Sequence, residues 1–213
     1  MLDKWINTIQ QMDCLEGMRQ LPDKCIDLVL TDPPYGIGMD KGFEGFGGFG
    51  EKIARKKYVG EWDSERPTVE VFNEILRISK ATIIFGGNFF ADVLPKSTHW
   101  LVWDKLNTMP TFSDCELIWT NINRKSVKKY THLWNGLIGK EDKRDHPSQK
   151  PLELIRKLLA DYSEDGMLIC DPFMGSGTTA RACKDLGRNF IGFELEPKYV
   201  EIANKRLQQE VML

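Results

Sequence analysis

The sequence predicts an α/β fold built on a mainly parallel sheet. Short β-branched apolar runs recur along it, helical stretches lie between many of them, and neither an internal repeat nor a linker-like break in composition interrupts the pattern. The runs are Ile6–Met12, Ile26–Leu30, Ala81–Phe85, His99–Trp103, Glu116–Thr120, Met167–Cys170 and Phe190–Phe193, seven candidate strands. Between them, Pro67–Lys80 carries Val71, Phe72, Ile75 and Ile78 on one face of a 3.6-residue period, and Pro151–Tyr162 carries Leu154, Ile155, Leu158 and Leu159. Pro151 suits a first helical turn, a helix through Ala180–Leu186 follows the sixth strand, and Pro197–Gln209 is the last helix.

At 213 residues the chain predicts one domain, 1–213. A content of 41% hydrophobic and 28% charged residues is that of a folded chain, not a disordered one. The net charge of −2 gives no global positive field, so any contact with nucleic acid must come from local basic patches. No apolar run approaches the ~20 residues that span a bilayer, and Met1–Gln11 lacks the pattern of a signal peptide. The five cysteines and three histidines are scattered, with no Cys-x-x-Cys pair, which predicts a reduced cytoplasmic setting and no metal site. Two stretches do not read as regular structure. One is the Gly/Phe-rich segment 36–60, expected to be a mobile lid loop. The other is the polar, basic segment 121–145, which contains Arg124, Lys125, Lys128 and Lys129.

Two motifs carry chemistry. Thr31-Asp32-Pro33-Pro34-Tyr35-Gly36 directly follows the apolar run Ile26–Leu30, and the C-terminal end of a buried parallel strand is where α/β folds place their sites. Two prolines fix two φ angles and remove two N–H donors, leaving outward carbonyls beside the Asp32 carboxylate. Such acceptors next to an aromatic ring suit a flat substrate bearing an NH₂ group: Asp32 and a backbone oxygen take its hydrogens, and Tyr35 stacks on its face. The second motif is Cys170-Asp171-Pro172-Phe173-Met174-Gly175-Ser176-Gly177-Thr178-Thr179, a glycine-rich strand-to-helix turn without the Gly-Lys-Ser/Thr ending of a phosphate loop. Some twenty residues on, the strand Phe190–Phe193 ends in Glu194, an acid placed to bind ribose hydroxyls. The pair describes a pocket for a nucleoside-containing cofactor.

With both motifs in view, the chain resembles the amino-methyltransferases of DNA, specifically their beta class. In that class the Asp-Pro-Pro-Tyr motif precedes the target-recognition region and the cofactor loop comes last. The same order holds here, with His146-Pro147-Ser148-Gln149-Lys150-Pro151 similar to the family's segment before the cofactor strand. The resemblance implies a Rossmann-like S-adenosylmethionine-dependent methyltransferase fold with a seven-stranded sheet and circularly permuted motif order. It implies S-adenosylmethionine as cofactor, held by Asp13, Cys14, Gln149, Lys150, Asp171, Phe173, Gly175, Ser176, Gly177, Thr178 and Glu194, with His146 nearby. It implies Asp32, Pro33, Pro34 and Tyr35 as the catalytic motif. It makes segment 121–145 a short target-recognition insert in which Arg124, Lys125, Lys128 and Lys129 bind double-stranded DNA, and it carries the expectation of a homodimer. Aspartate before Pro-Pro favours adenine N6 over cytosine N4. Protein-glutamine enzymes resembling this motif carry Asn there, and an inactive cofactor-binding subunit would have no use for an intact Asp32 and Tyr35.

Overall fold

The computed structural model describes residues 2–37, 65–106, 113–133 and 149–209. They form one eight-stranded sheet in the order β1-β8-β7-β2-β3-β5-β4-β6. The strands are β1 (Thr8–Gln11), β2 (Ile26–Thr31), β3 (Ser79–Phe85), β4 (Trp100–Asp104), β5 (Cys115–Thr120), β6 (Val127–Thr131), β7 (Leu168–Asp171) and β8 (Asn189–Glu194). Every neighbouring pair is parallel except the two that β5 makes, with β3 and with β4. The helices are α1 (Cys14–Arg19), α2 (Val69–Ile78), α3 (Leu152–Tyr162), α4 (Thr178–Asp185) and α5 (Pro197–Gln208).

Side chains alternate across a strand, so β2 feeds two cores at once. Leu28 and Leu30 pack into the layer containing Leu154, Leu158, Ala182 and Ala203 from α3, α4 and α5. Val29 packs into the opposite layer with Met18 of α1 and Phe72 and Ile75 of α2. The apolar stripes of α2 and α3 are the buried faces that their spacing predicts: Val71, Phe72, Ile75 and Ile78 on one, Leu154, Ile155, Leu158 and Leu159 on the other.

The sheet corrects the predicted count of seven strands. The eighth, β6, lies inside segment 121–145, which the sequence left irregular. Its pattern is nearly silent because it is an edge strand with one buried side chain, Tyr130, while Val127, Lys129 and Thr131 face solvent. The main chain pairs with β4 from Trp100↔Val127 to Asp104↔Thr131. The short helix α1 is also absent from the sequence reading, which expected a first strand over Ile6–Met12 and no helix after it. Asp13 instead caps α1, its Oδ1 accepting from the Glu16 amide at 3.0 Å.

The parallel strands bring their C-terminal ends to one edge of the sheet. Asp13 follows β1, Glu194 ends β8, Asp171 ends β7, Asp32 follows β2 and Phe85 ends β3. Because β5 runs the other way, its first residues reach that same edge, so Glu116 arrives beside Lys105 at the end of β4.

Candidate active site

One half of this edge is a chain of alternating charges. Lys150, two residues before α3, places its Nζ 2.7 Å from Asp32 Oδ2 and 3.1 Å from Glu116 Oε1. It also donates to the Tyr35 hydroxyl at 3.2 Å, so its three hydrogens have three acceptors. Lys105 Nζ holds the other oxygen of Glu116, Oε2, at 3.0 Å. The Tyr35 hydroxyl lies 2.8 Å from Asp32 Oδ1 and 2.7 Å from Glu116 Oε1. A phenol has one hydrogen, so at any instant Tyr35 donates to only one of the two carboxylates.

Burial strengthens these interactions, since the side chains of Glu116, Lys150 and Asp32 are 10%, 12% and 21% exposed. Burial pushes the Asp32 carboxyl above its ordinary range, Lys150 opposes the shift and Glu116 adds to it. For Glu116 burial acts upward too, but Lys150 and Lys105 outweigh it and hold the carboxyl well below the usual range. For Lys150 burial acts downward, and Asp32 and Glu116 outweigh it and keep the ammonium charged.

Tyr35 is set by its neighbours. Phe89 stacks on one face with ring centroids 4.6 Å apart, Phe90 meets the ring edge-on at 6.0 Å, and Lys150 Nζ lies 5.5 Å from the ring centroid. A Cβ at Gly86, which has φ +65°, would lie 2.3 Å from the Tyr35 ring. That position therefore requires glycine on both counts: the left-handed backbone and the close approach.

The other half of the edge is held by hydrogen bonds within the chain. Asp171 accepts from Thr31 Oγ1 and Thr179 Oγ1, both at 2.7 Å, and from the Phe173 amide at 3.1 Å. It is 4% exposed, and burial pushes its carboxyl up to about 6 against those three donors. Its contacts shape the turn between β7 and α4. Arg206, a buried guanidinium on α5, donates to the Ser176 carbonyl, the Ser176 hydroxyl and the Thr178 hydroxyl at 3.0, 3.1 and 3.2 Å. The Ser176 hydroxyl in turn donates to Gln149 Oε1 at 3.0 Å. Glu194 accepts from the Gly175 amide and the Glu196 amide, both at 2.8 Å.

A family model described as "DNA methylase", covering enzymes of the N6 and N4 type, matches residues 96–205. This chain belongs to that family. The DNA methylase is 28% identical to Type II methyltransferase M.HinfI of Haemophilus influenzae over 98% of its own length and 70% of that protein's. Its structure resembles the M1.HpyAVI-SAM complex at a TM-score of 0.60 and 26% identity, covering 95% of this chain and 99% of that one. It resembles PvuII DNA methyltransferase, which is cytosine-N4-specific, at a TM-score of 0.62 and 16% identity, covering 96% and 87%, a likeness of fold alone. The expected Rossmann-like methyltransferase fold is therefore found, with eight strands in the described sheet.

Within this methylase the structure gathers Asp32, Tyr35 and Lys150 into one contact network. Along the turn after β7 it holds Gln149, Ser176 and Thr178 through Arg206, Asp171 through Thr31 and Thr179, and Glu194 through the Gly175 amide, as three separate sets. Lys150, expected at the cofactor, has its ammonium on Asp32. Cys14 opens α1 beside Asp13; burial pushes its thiol up to about 12, with Asp13 adding to the shift, which keeps it a neutral neighbour. Three residues of these networks went unnoticed in the sequence, Glu116, Lys105 and Arg206, and Thr31 was quoted in its motif without a role. Glu116 and Lys105 flank a strand turn far from either motif, and Arg206 sits on the final helix. Their signal is contact across the fold, which spacing does not carry.

Arg124, Lys125, Lys128 and Lys129, the basic residues expected at DNA, are not brought to Asp32. Arg124 and Lys125 precede β6, at the opposite end of the sheet, about 20 Å along the strand from its catalytic edge at ~3.3 Å per residue. Arg124 lies over the Tyr162 ring at 5.2 Å, Lys128 pairs with Asp161 at 2.8 Å, and Lys129 pairs with Asp104 at 3.0 Å. The remainder of that segment, the lid expected at 36–60 beyond Ile37, and His146 lie outside the described residues. Among the described residues no group of three His, Cys, Asp or Glu side chains could hold a metal, and no helix is long and apolar enough to cross a membrane.

Proposed function

We propose that this DNA methylase transfers a methyl group from S-adenosylmethionine to adenine N6 of a base flipped out of double-stranded DNA. The observation that carries the reading is Asp32: a carboxylate at the C-terminal end of β2, its two oxygens engaged by the Tyr35 hydroxyl and the Lys150 ammonium, with the Tyr35 ring stacked on Phe89 beside it.

The cofactor half fits such a ligand. A Cβ at Gly175, with φ +51°, would meet nothing within 4 Å, so the backbone there faces open space at the ends of β7 and β8. Each Glu194 oxygen accepts one backbone hydrogen and has a further lone pair for a ribose hydroxyl. Asp13, exposed at the end of β1, lies on the adenine side of this arrangement. Phe173, Gly175 and Gly177 line the turn, while Asp171, Ser176, Thr178 and Gln149 hold its shape. When bound, S-adenosylmethionine supplies an electrophilic methyl on a sulfonium.

The protein's own part is positioning. A base amine inside a duplex is out of reach, so the nucleotide is extruded at a cost of a few kcal/mol. Its nitrogen is a poor nucleophile because the lone pair is delocalised into the ring. Asp32 and the Pro33 carbonyl accept its two hydrogens, draw the nitrogen towards sp³ and aim the lone pair at the cofactor site. Pro34 fixes the turn and Tyr35 stacks on the base. Arg124, Lys125, Lys128 and Lys129 then serve as backbone contacts away from the flipped base, on a protein acting in the cytoplasm as a homodimer.

The test is transfer of labelled methyl to duplex DNA in which purine, lacking the exocyclic amine, replaces every adenine. The reading predicts no transfer to that duplex and transfer to the unsubstituted one. Equal labelling of both duplexes moves the target to cytosine N4. Cofactor binding without labelling of either makes the chain an inactive subunit that needs a partner.

A further inference from the structure

The hydrogen bonds of Asp32 raise a difficulty for the reading just given. Tyr35 holds one of its oxygens and Lys150 the other. Each oxygen keeps a second lone pair, so an incoming amine crowds these donors, and the one whose place it would take is Lys150. Lys150 Nζ, at 2.7 Å, stands as a nitrogen donor where the substrate's nitrogen donor would stand. Moving an ammonium out of a site this enclosed is unfavourable unless another anion is at hand. One is: Glu116 Oε1 lies 3.1 Å from the same Nζ, and its other oxygen is fixed by Lys105.

We propose that Glu116 is a positioning residue for methyl transfer: it receives the Lys150 ammonium, and the Tyr35 hydroxyl with it, when the base enters and takes their place on Asp32. The inference rests on the assignment of Asp32 as acceptor of the base amine. Four charges in the order Lys105, Glu116, Lys150, Asp32 alternate in sign, so Lys150 keeps an anionic partner through the exchange while Asp32 trades an ammonium donor for the hydrogens of the base amine. Tyr35 follows the same rule, since its single hydrogen can serve Asp32 or Glu116. No proton is transferred in the exchange, and the three hydrogens of Lys150 stay on nitrogen. Nothing in the sequence singles out Glu116; it reaches the site only because β5 runs antiparallel to its neighbours.

The test is a double-mutant cycle on the purified protein with duplex DNA, reading kcat, KM for DNA and cofactor affinity. Glu116→Gln keeps the shape and the acceptor for Tyr35 but removes the charge. It is expected to lower kcat/KM about 30-fold, most of it in KM for DNA because the base must now compete with a full ion pair, with cofactor affinity unchanged. Lys150→Met removes the competing ammonium. In its presence Glu116→Gln is expected to change kcat/KM less than threefold, because Glu116 acts through Lys150. Glu116→Asp keeps the charge and is expected to recover at least a third of the wild-type value; if Glu116→Gln does not fold, Glu116→Asp and Glu116→Ala replace it in the comparison. A Glu116→Gln loss of the same size with and without Lys150 overturns the proposal, as does a Glu116→Gln protein with wild-type kinetics. Failure of the wild-type protein itself to label DNA would instead remove the assignment of Asp32 on which the inference rests.

Discussion

The two halves of the catalytic edge are stabilised in different ways. In the cofactor half, polar side chains are committed to the fold: Asp171 to Thr31 and Thr179, Arg206 to Ser176 and Thr178, Gln149 to Ser176. These bonds are short and buried, and the ligand-facing element is backbone near Gly175. In the other half charged groups satisfy one another, and Lys150 and the Tyr35 hydroxyl each reach both Asp32 and Glu116 at similar distances. One half is preorganised and needs no exchange to receive its ligand. The other must trade partners. On the proposed assignment that difference suits the two tasks, since a cofactor pocket gains from rigidity whereas a pocket for a flipped base must keep buried charges paired when empty.

The sharpest break in the comparison comes from Asp32→Ala. Transfer is expected to fall at least ~1,000-fold, the scale of losing a preorganised polar contact to the reacting group, while cofactor affinity stays within a few-fold. Equal loss of both would merge the two halves into one unit. Next in size is Arg206→Met, which leaves the Ser176 carbonyl and two hydroxyls without their buried donor. A destabilisation of about 2–4 kcal/mol is expected, with a lower Tm and weaker cofactor binding. Unchanged stability in denaturant melts would show that the loop holds its own shape.

Asp171 offers a milder probe through pH. Its carboxyl is raised by burial to about 6 in the folded protein, against an ordinary value of about 3.9 in an unfolded chain. Below about pH 4 both states carry the proton. Between there and about 6 only the folded state keeps it, so stability falls as pH rises through that window and is level above it. The difference in unfolding free energy between wild type and Asp171→Asn should therefore decline across the window by about 1–3 kcal/mol. A difference independent of pH would mean that Asp171 is ionised throughout. The smallest effect is expected from changing Lys128 and Lys129 together to Ala. Each must leave an aspartate to reach a phosphate, so the salt dependence of DNA binding should flatten by about one unit of slope or less, with kcat at saturating DNA unchanged. A larger change would put β6 at the centre of the DNA interface.

The same contrast decides what could be read without a structure. Apolar runs announce strands buried on both faces, so β2, β3, β7 and β8 were legible to within two residues, and the two motifs at their ends were legible with them. The edge strand β6 was not, because Val127-Lys128-Lys129-Tyr130-Thr131 buries only Tyr130. Asp32 and Tyr35 stand next to each other in a motif; Glu116 and Lys105 join them only through an antiparallel strand pairing that no local pattern encodes. Arg206 has no local pattern to mark it in the last helix, yet its guanidinium is buried against the turn between β7 and α4. Charged residues that support a site from a distance are therefore the part a sequence hides best.

The most direct test of the account is to incubate the purified protein with methyl-labelled S-adenosylmethionine and unmethylated genomic DNA, digest the DNA and identify the labelled nucleoside by mass spectrometry. The account predicts label in N6-methyladenine. Label confined to N4-methylcytosine, or none in DNA while cofactor is bound, would contradict it.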